Sequence, residues 1–283
     1  VSFIGAPVVS RGGVRPGFAA LAAKSVDGVT QLADLAQFSP LRLLFPRVPE
    51  DEPLTACLAN TAGGVVGGDA LDLEVRAEEG ARVLAMGQAA EKIYRSAGAT
   101  ARIGITLTAG PRAWLEWLPQ ETIVFEGARV IRRTSLAVDA TARAMTGEIL
   151  VFGRTAHGES LAHGLIRDAI SVTRDGRLIW ADALHLGGDL ARPLAHPAAF
   201  GGARACALLL LHAPEPETHR DALRELAPPE GVRFGATVVA GLMIARWLAA
   251  DTQALRRHYG SAWALLRARA GGLPPRLPPL WHV

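Results

Sequence analysis

Among the carboxylates between Asn60 and Glu159, Asp69, Glu91, Glu121, Glu148 and Glu159 are the candidates for chemistry, with His157 and Lys92, the only lysine of that segment; His163 follows closely. Two carboxyl groups about 5 to 5.5 Å apart could run retaining glycoside hydrolysis, and stacked-strand folds can host such a pair. The plainer alternative is that acids on strands are solvated or paired with the abundant arginines. His157 and His163, bracketing Glu159, offer nitrogen ligands suited to nickel, zinc or copper. Their spacing matches no closed zinc site and no His-Glu-x-x-His helix, so a transient metal contact is expected rather than a catalytic centre. Nucleophilic catalysis has little support. There is no Gly-x-Ser-x-Gly elbow, and neither Cys57 nor Cys206 adjoins a basic residue that would activate it.

Four sequence blocks must position these groups. The first contains Gly63-Gly64-Val65-Val66-Gly67-Gly68-Asp69. Its glycines suggest a phosphate loop, because bare backbone N–H groups at a helix N-terminus bind anions. No Lys-Ser or Lys-Thr follows Gly68, however, and Leu71-Asp72-Leu73-Glu74-Val75-Arg76-Ala77 alternates in the period of a strand. The block therefore reads as a turn whose glycines can take positive φ and which delivers Asp69 to the mouth of a strand. The other blocks are Gln88 through Ser96, Trp114 through Ile123, and Gly153 through Glu159.

From Gly80 the chain half repeats itself with a period near 30. Gly80-Ala81-Arg82-Val83 is echoed by Gly110-Pro111-Arg112-Ala113 and by Thr141-Ala142-Arg143-Ala144. The first two copies align Glu91 with Glu121 and Ile93 with Ile123. Units of this size cannot each bury an apolar face alone, so they predict strands stacked in layers. Strands are expected at 38–46, 54–60, 102–107 and 129–138, with a hairpin at the Arg174-Asp175-Gly176 turn and a loop over 187–202. Further strands are expected at 205–211 and 231–247, and helices at 216–226 and from a cap at Asp251 or Thr252 to an end before Gly271-Gly272. The tail from Leu273 to Trp281 should be extended, either as a proline-rich ligand or packed on its own domain. Val1-Ser2-Phe3-Ile4 looks strand-like and Gly12-Gly13 turn-like. The predicted fold class is mainly β: layered, helically stacked sheets resembling a β-solenoid superhelix, with about two helices in the C-terminal third.

Composition narrows the function classes. The 283 residues carry a net charge of only +3, and no basic run exceeds the pairs Arg132-Arg133 and Arg256-Arg257, which argues against nucleic acid. Mean hydropathy is +0.20, high for a soluble chain. Yet no apolar run reaches the roughly 18 residues of a membrane span. Such a chain is expected to cover part of its surface with partners. The cysteines read as reduced core thiols, with a disulfide between them as the alternative, and the start shows no secretory pattern, so the expected location is cytoplasmic. The missing initiator methionine points to a trimmed or processed start.

At the four blocks, in their order and spacing, the sequence resembles the urease accessory protein UreD family, called UreH in some systems. The blocks that match are Gly63 through Asp69, Lys92-Ile93-Tyr94-Arg95-Ser96, Leu115 through Glu121 and Gly153-Arg154 through Glu159; a weaker match continues to Leu277–Trp281. The resemblance implies a single UreD-like domain over residues 1–283 and a non-catalytic scaffold that binds apo-urease and UreF, and through UreF the GTPase UreG, within an accessory complex that can be dimeric. It also implies that nickel passes transiently through the interior toward urease, with no tightly bound cofactor. Mapped by motif, Asp69, Glu148 and Glu159 are candidates for that passage, with Glu121 and His157 beside them. Gly63, Gly64, Gly67, Gly68, Lys92, Tyr94, Arg95, Gln120 and Arg154 would organise the layers or meet a partner.

Overall fold

The alternation that marks residues 71–77 recurs in most of the long strands, and it sorts their side chains between an apolar interior and an outer face. The computed structural model describes residues 17–154 and 158–282. The expectations for Val1–Ile4, for Gly12-Gly13 and for His157 therefore lie outside the described residues. The N-terminal strands are β1 (Gly17–Val26), β2 (Val29–Phe38), β3 (Leu41–Leu44) and β4 (Leu54–Asn60). Three coils follow. The first is β5 (Ala70–Ala77), β6 (Arg82–Gly87) and β7 (Glu91–Ile93); the second is β8 (Ala101–Ala109), β9 (Trp114–Leu118) and β10 (Thr122–Val124). The third runs through β11 (Arg129–Val138) and β12 (Arg143–Phe152) into the hairpin of β13 (His163–Arg174) and β14 (Arg177–Asp189).

Each coil gives one strand to a seven-stranded sheet, ordered β14-β13-β11-β8-β5-β1-β2, and one to a second, larger sheet, where β4, β6, β9 and β12 lie in parallel. The short β7 and β10 pair in parallel beside the end of β12 and form a third strip. Between the sheets lie Leu21, Val75, Leu107, Leu115, Leu136 and Leu150. The predicted helical stacking of layers is thus present.

After the short helix α1 (Ala191–Ala195), β15 (Ala205–His212), β16 (Val232–Val239) and β17 (Leu242–Ala249) extend the second sheet in antiparallel fashion. The helices α2 (Pro216–Glu225) and α3 (Thr252–Gly271) cover its outer face. The Asp251 carboxylate caps α3 by accepting from the N–H groups of Gln253 and Ala254, and Gly272 ends it at φ 61°. Leu255, Tyr259, Trp263 and Leu266 on its inner side are fully buried, each large side chain contributing about 1.5–3 kcal/mol. No helix among the described residues is long and apolar enough to cross a membrane.

Four expectations need correction. The repeat puts Gly80 opposite Gly110, but the equivalent residues are Gly80 and Arg112, both at positive φ, and the register pairs Arg82 with Trp114 and Glu91 with Thr122. Glu91 and Glu121 therefore do not occupy equivalent places. Because side chains alternate along a strand, this one-residue offset sends them to opposite faces. Residues 231–247 form two strands, not one, divided at Ala240-Gly241, both at positive φ. Continuous apolar character hid that turn. The loop at 187–202 contains α1. The tail ends in a 3-10 turn over Pro279–His282 that buries Trp281 against its own domain.

Candidate functional site

Parts of all four sequence blocks meet at the third strip: Val65, β7, the Thr122–Ile123 end of the third block in β10, and Gly153, whose N–H donates to the Val124 carbonyl. Val65 bridges Ile93, its N–H donating to the Lys92 carbonyl at 2.7 Å, and the Tyr94 N–H returns a bond to the Val65 carbonyl. The Tyr94 hydroxyl donates to the Gly63 carbonyl, and its ring meets Phe125 edge to face at 5.0 Å. The Arg154 guanidinium covers Phe125 at 4.6 Å, and Arg95 bridges Ala128. The glycines of the first block serve this close approach. A Cβ on Gly64 would collide with Tyr94 and come within 2.8 Å of the Lys92 carbonyl. One on Gly67 would strike Ser96 and the Ala99 carbonyl. We expect Gly67→Ala to lose about 1–3 kcal/mol of stability through overpacking, measured by denaturant unfolding, while alanine at the open Gly98, itself at positive φ, acts only through backbone strain.

Behind the strip, between the two sheets, is a cavity of about 200 Å³. Apolar side chains from β5 and β8 form one wall, and Asn60, Glu91, Thr122 and Arg132 supply polar groups. The Asn60 amide donates to both Glu91 carboxylate oxygens at 3.2 Å. Burial nonetheless holds the Glu91 carboxyl above its ordinary range. At the far side Arg132 donates from Nη1 to the Thr122 hydroxyl at 2.9 Å and from Nε to Asp168 at 2.9 Å, and its Nη2 bonds both Asp168 and Glu148. Burial opposes the Arg132 charge, but Asp168 and Glu148 outweigh it and the guanidinium stays protonated. Burial, with Asp168 beside it, pushes the Glu148 carboxyl well up despite Arg132. The same burial acts on Asp168, where the pull of Arg132 prevails and holds the carboxyl below its usual range.

Outside the strip a groove of about 1,500 Å³ runs between the ends of these strands and α3 with the tail. Gln88, Ala89, Ala90, Lys92 and Gln120 line both groove and cavity, so this loop and Gln120 separate the two spaces. Glu121 faces the groove, ion-paired to Arg256 at 2.5 Å. Arg256 also donates to the Gln120 side chain and the Trp281 carbonyl and lies over the Trp281 ring at 4.2 Å, which clamps the tail to the groove wall.

The predicted passage residues are therefore placed differently from one another. Glu148 faces the interior cluster, and Glu121 faces the groove. Asp69 accepts from the Val66 N–H at 2.8 Å and shapes its own turn, close enough for its charge to act on Glu91. Glu159 is held by Arg154 through both guanidinium and backbone N–H. Arg132 and Asp168 are additional members outside the sequence blocks, and Thr122 and Asn60 join them from positions not named as candidates.

A sequence model of the family described as UreD urease accessory protein matches residues 15–282. The chain is similar to the urease accessory protein UreD of Magnetococcus marinus, at 44% identity over 261 residues and 90% of each chain. It is likewise similar to that of Azorhizobium caulinodans, at 43% identity over 277 residues, covering 96% of this chain and 98% of the relative. With the UreD of Methylobacterium sp. strain 4-46 it shares 45% over 263 residues.

Proposed function

Because the chain belongs to the UreD urease accessory protein family, and so to urease maturation, we propose that it acts there as a non-catalytic scaffold that helps deliver nickel. In this role it binds apo-urease and UreF, and through UreF the GTPase UreG, in an accessory complex that can contain two copies. Nickel is cargo. It enters from the groove, crosses the neck at Gln88–Lys92 and Gln120, and moves through the cavity toward Glu148 and Asp168.

The observation that supports this route is the shared lining of groove and cavity, with Glu121 on one side and Glu91 on the other. Carboxylates and amides spaced in this way attract a divalent ion without any one site holding it tightly. Asp69, close enough for its charge to act on Glu91, adds to the negative potential there, and Glu159 is held by Arg154 at the groove wall; His157 joins them only as a candidate from the family motif. The buried acids are also easier to reconcile with a passage than with a paired-carboxylate glycosidase, since Arg132 bridges Glu148 and Asp168.

Urease co-expressed with its accessory proteins tests the reading. Glu91→Gln and Glu148→Gln should each lower the nickel content of the released urease several-fold, roughly tenfold together, while UreF still co-purifies. Deleting the chain should leave urease abundant, nickel-poor and inactive. Full nickel occupancy in the double variant would remove the passage, and in the deletion strain the whole scaffold role.

A further inference from the structure

The groove is strongly cationic for a chain of nearly balanced charge. Six lysine and arginine side chains line it, against the acids Glu121 and Asp251. Both acids are already engaged, Glu121 with Arg256 and Asp251 as the cap of α3. Of the six cations, Arg154 pairs with Glu159, Arg256 with Glu121, and Arg276 with Asp51 and Glu52. Lys92, Arg204 and Arg257 are exposed and make no ion pair among the described residues. They come from three separate elements, β7, the entry to β15, and α3.

We propose that this groove is the docking channel for an extended, acid-rich segment of a partner protein, its carboxylates held by Lys92, Arg204 and Arg257. Charge complementarity selects the occupant. Single-stranded nucleic acid would also want cations, but it binds through stacking on open aromatic faces. The two aromatics that line the groove, Phe125 and Trp281, are already covered by the guanidinium groups of Arg154 and Arg256. Polar side chains such as Gln88, Gln253 and Ser261 line the rest and can serve the peptide backbone.

Docking has a consequence for the proposed passage, and this step rests on that reading. Lys92 lines both groove and cavity, so a free dication meets net positive charge at the entrance. An acidic segment in the groove cancels that charge, and entry then depends on the partner being seated.

The binding test uses the full chain in nickel-free buffer with chelator, so its outcome is independent of the passage. The probe is a fluorescein-labelled deca-glutamate peptide read by anisotropy, with deca-glutamine as control. Wild-type protein should bind the glutamate peptide and lose affinity as salt rises from about 50 to 150 mM. The triple variant Lys92→Glu, Arg204→Glu, Arg257→Glu should weaken binding at least roughly tenfold. Reversal of Arg102, Arg133 and Arg167, exposed on the seven-stranded sheet, should change it less than about twofold. If the triple variant melts early, the single Arg204→Gln and Arg257→Gln replace it, each with an expected loss of about threefold. No binding by the wild type, equal losses in both reversal sets, or tighter binding of an oligonucleotide of equal charge would overturn the proposal.

Discussion

Arg132→Leu should cost about 3–5 kcal/mol of folding stability, because it strands two carboxyl groups between apolar sheets without their shared cation. A fall of roughly 10 °C in melting temperature is expected for a chain of this size. The pH dependence identifies the cause. In the wild type the depressed Asp168 contributes stability that is present above the ordinary aspartate pKa and lost as pH falls through its folded value. Glu148, raised, contributes stability present below the ordinary glutamate pKa and lost as pH climbs through its folded value. Removing Arg132 abolishes the depression of Asp168 and raises Glu148 further. The variant should therefore be least stable relative to wild type at neutral and alkaline pH and should close part of the gap in acid. Melting curves at pH 5 and pH 8 measure this, and Arg132→Leu with Asp168→Asn should recover part of the loss. A uniform loss under about 1 kcal/mol would show that the cluster is hydrated rather than buried.

Arg267→Met is the second large effect, again about 3–5 kcal/mol. Arg267 and Glu116 are both wholly buried. The Glu116 carboxylate accepts from the indole N–H of Trp114 and of Trp263 at 2.8 Å each and pairs with Arg267 at 3.2 Å. Arg267 reaches on to Glu52 at 2.7 Å and to the Arg276 carbonyl at 2.6 Å. One guanidinium thus joins β9, α3, the acidic loop at 49–53 and the tail. Methionine fills much of the volume but leaves the Glu116 carboxyl among tryptophans without its ionic partner. Combining it with Glu116→Gln should return part of the stability in urea unfolding; if the double variant is no better than the single, lost packing rather than stranded charge is responsible. Unlike Glu91→Gln, this variant should lower urease activation only as far as it lowers soluble protein.

The architecture was legible because its signals are periodic. The repeat spacing showed layers, and the alternation at 71–77 showed a strand facing a core. The register was not legible, since the Gly-Pro-Arg of the second copy imitates the Gly-Ala-Arg of the first two residues out of place. The structural match depends on the backbone of Arg112, whose side chain gives no hint of positive φ. The strand β1 escaped because its alanine-rich sequence carries weak strand preference, and β2 because its mixed polar and apolar residues, nearly all exposed, show no clean alternation. The site was half visible. Motif blocks led to the strip, but Arg132 and Asp168 lie in unremarkable stretches. Their signal was parity: Val130, Arg132, Thr134 and Leu136 share a face, as do Ile166, Asp168 and Val172, so each charge stands at an inward position. Only the cross-strand pairing of Arg132 with Asp168 makes the two one unit.

The seven-stranded sheet runs parallel through its middle and reverses at both borders, where β2 and β14 fold back on β1 and β13. An uncapped parallel border has the geometry for the next turn of another molecule's superhelix to add on, and coil upon coil would make a fibril. Each border here ends in an antiparallel strand whose register is broken by an irregularity, near Ala22 on one side and Val172 on the other. The reversed strands thereby present no parallel, in-register border on which a further coil could continue the superhelix.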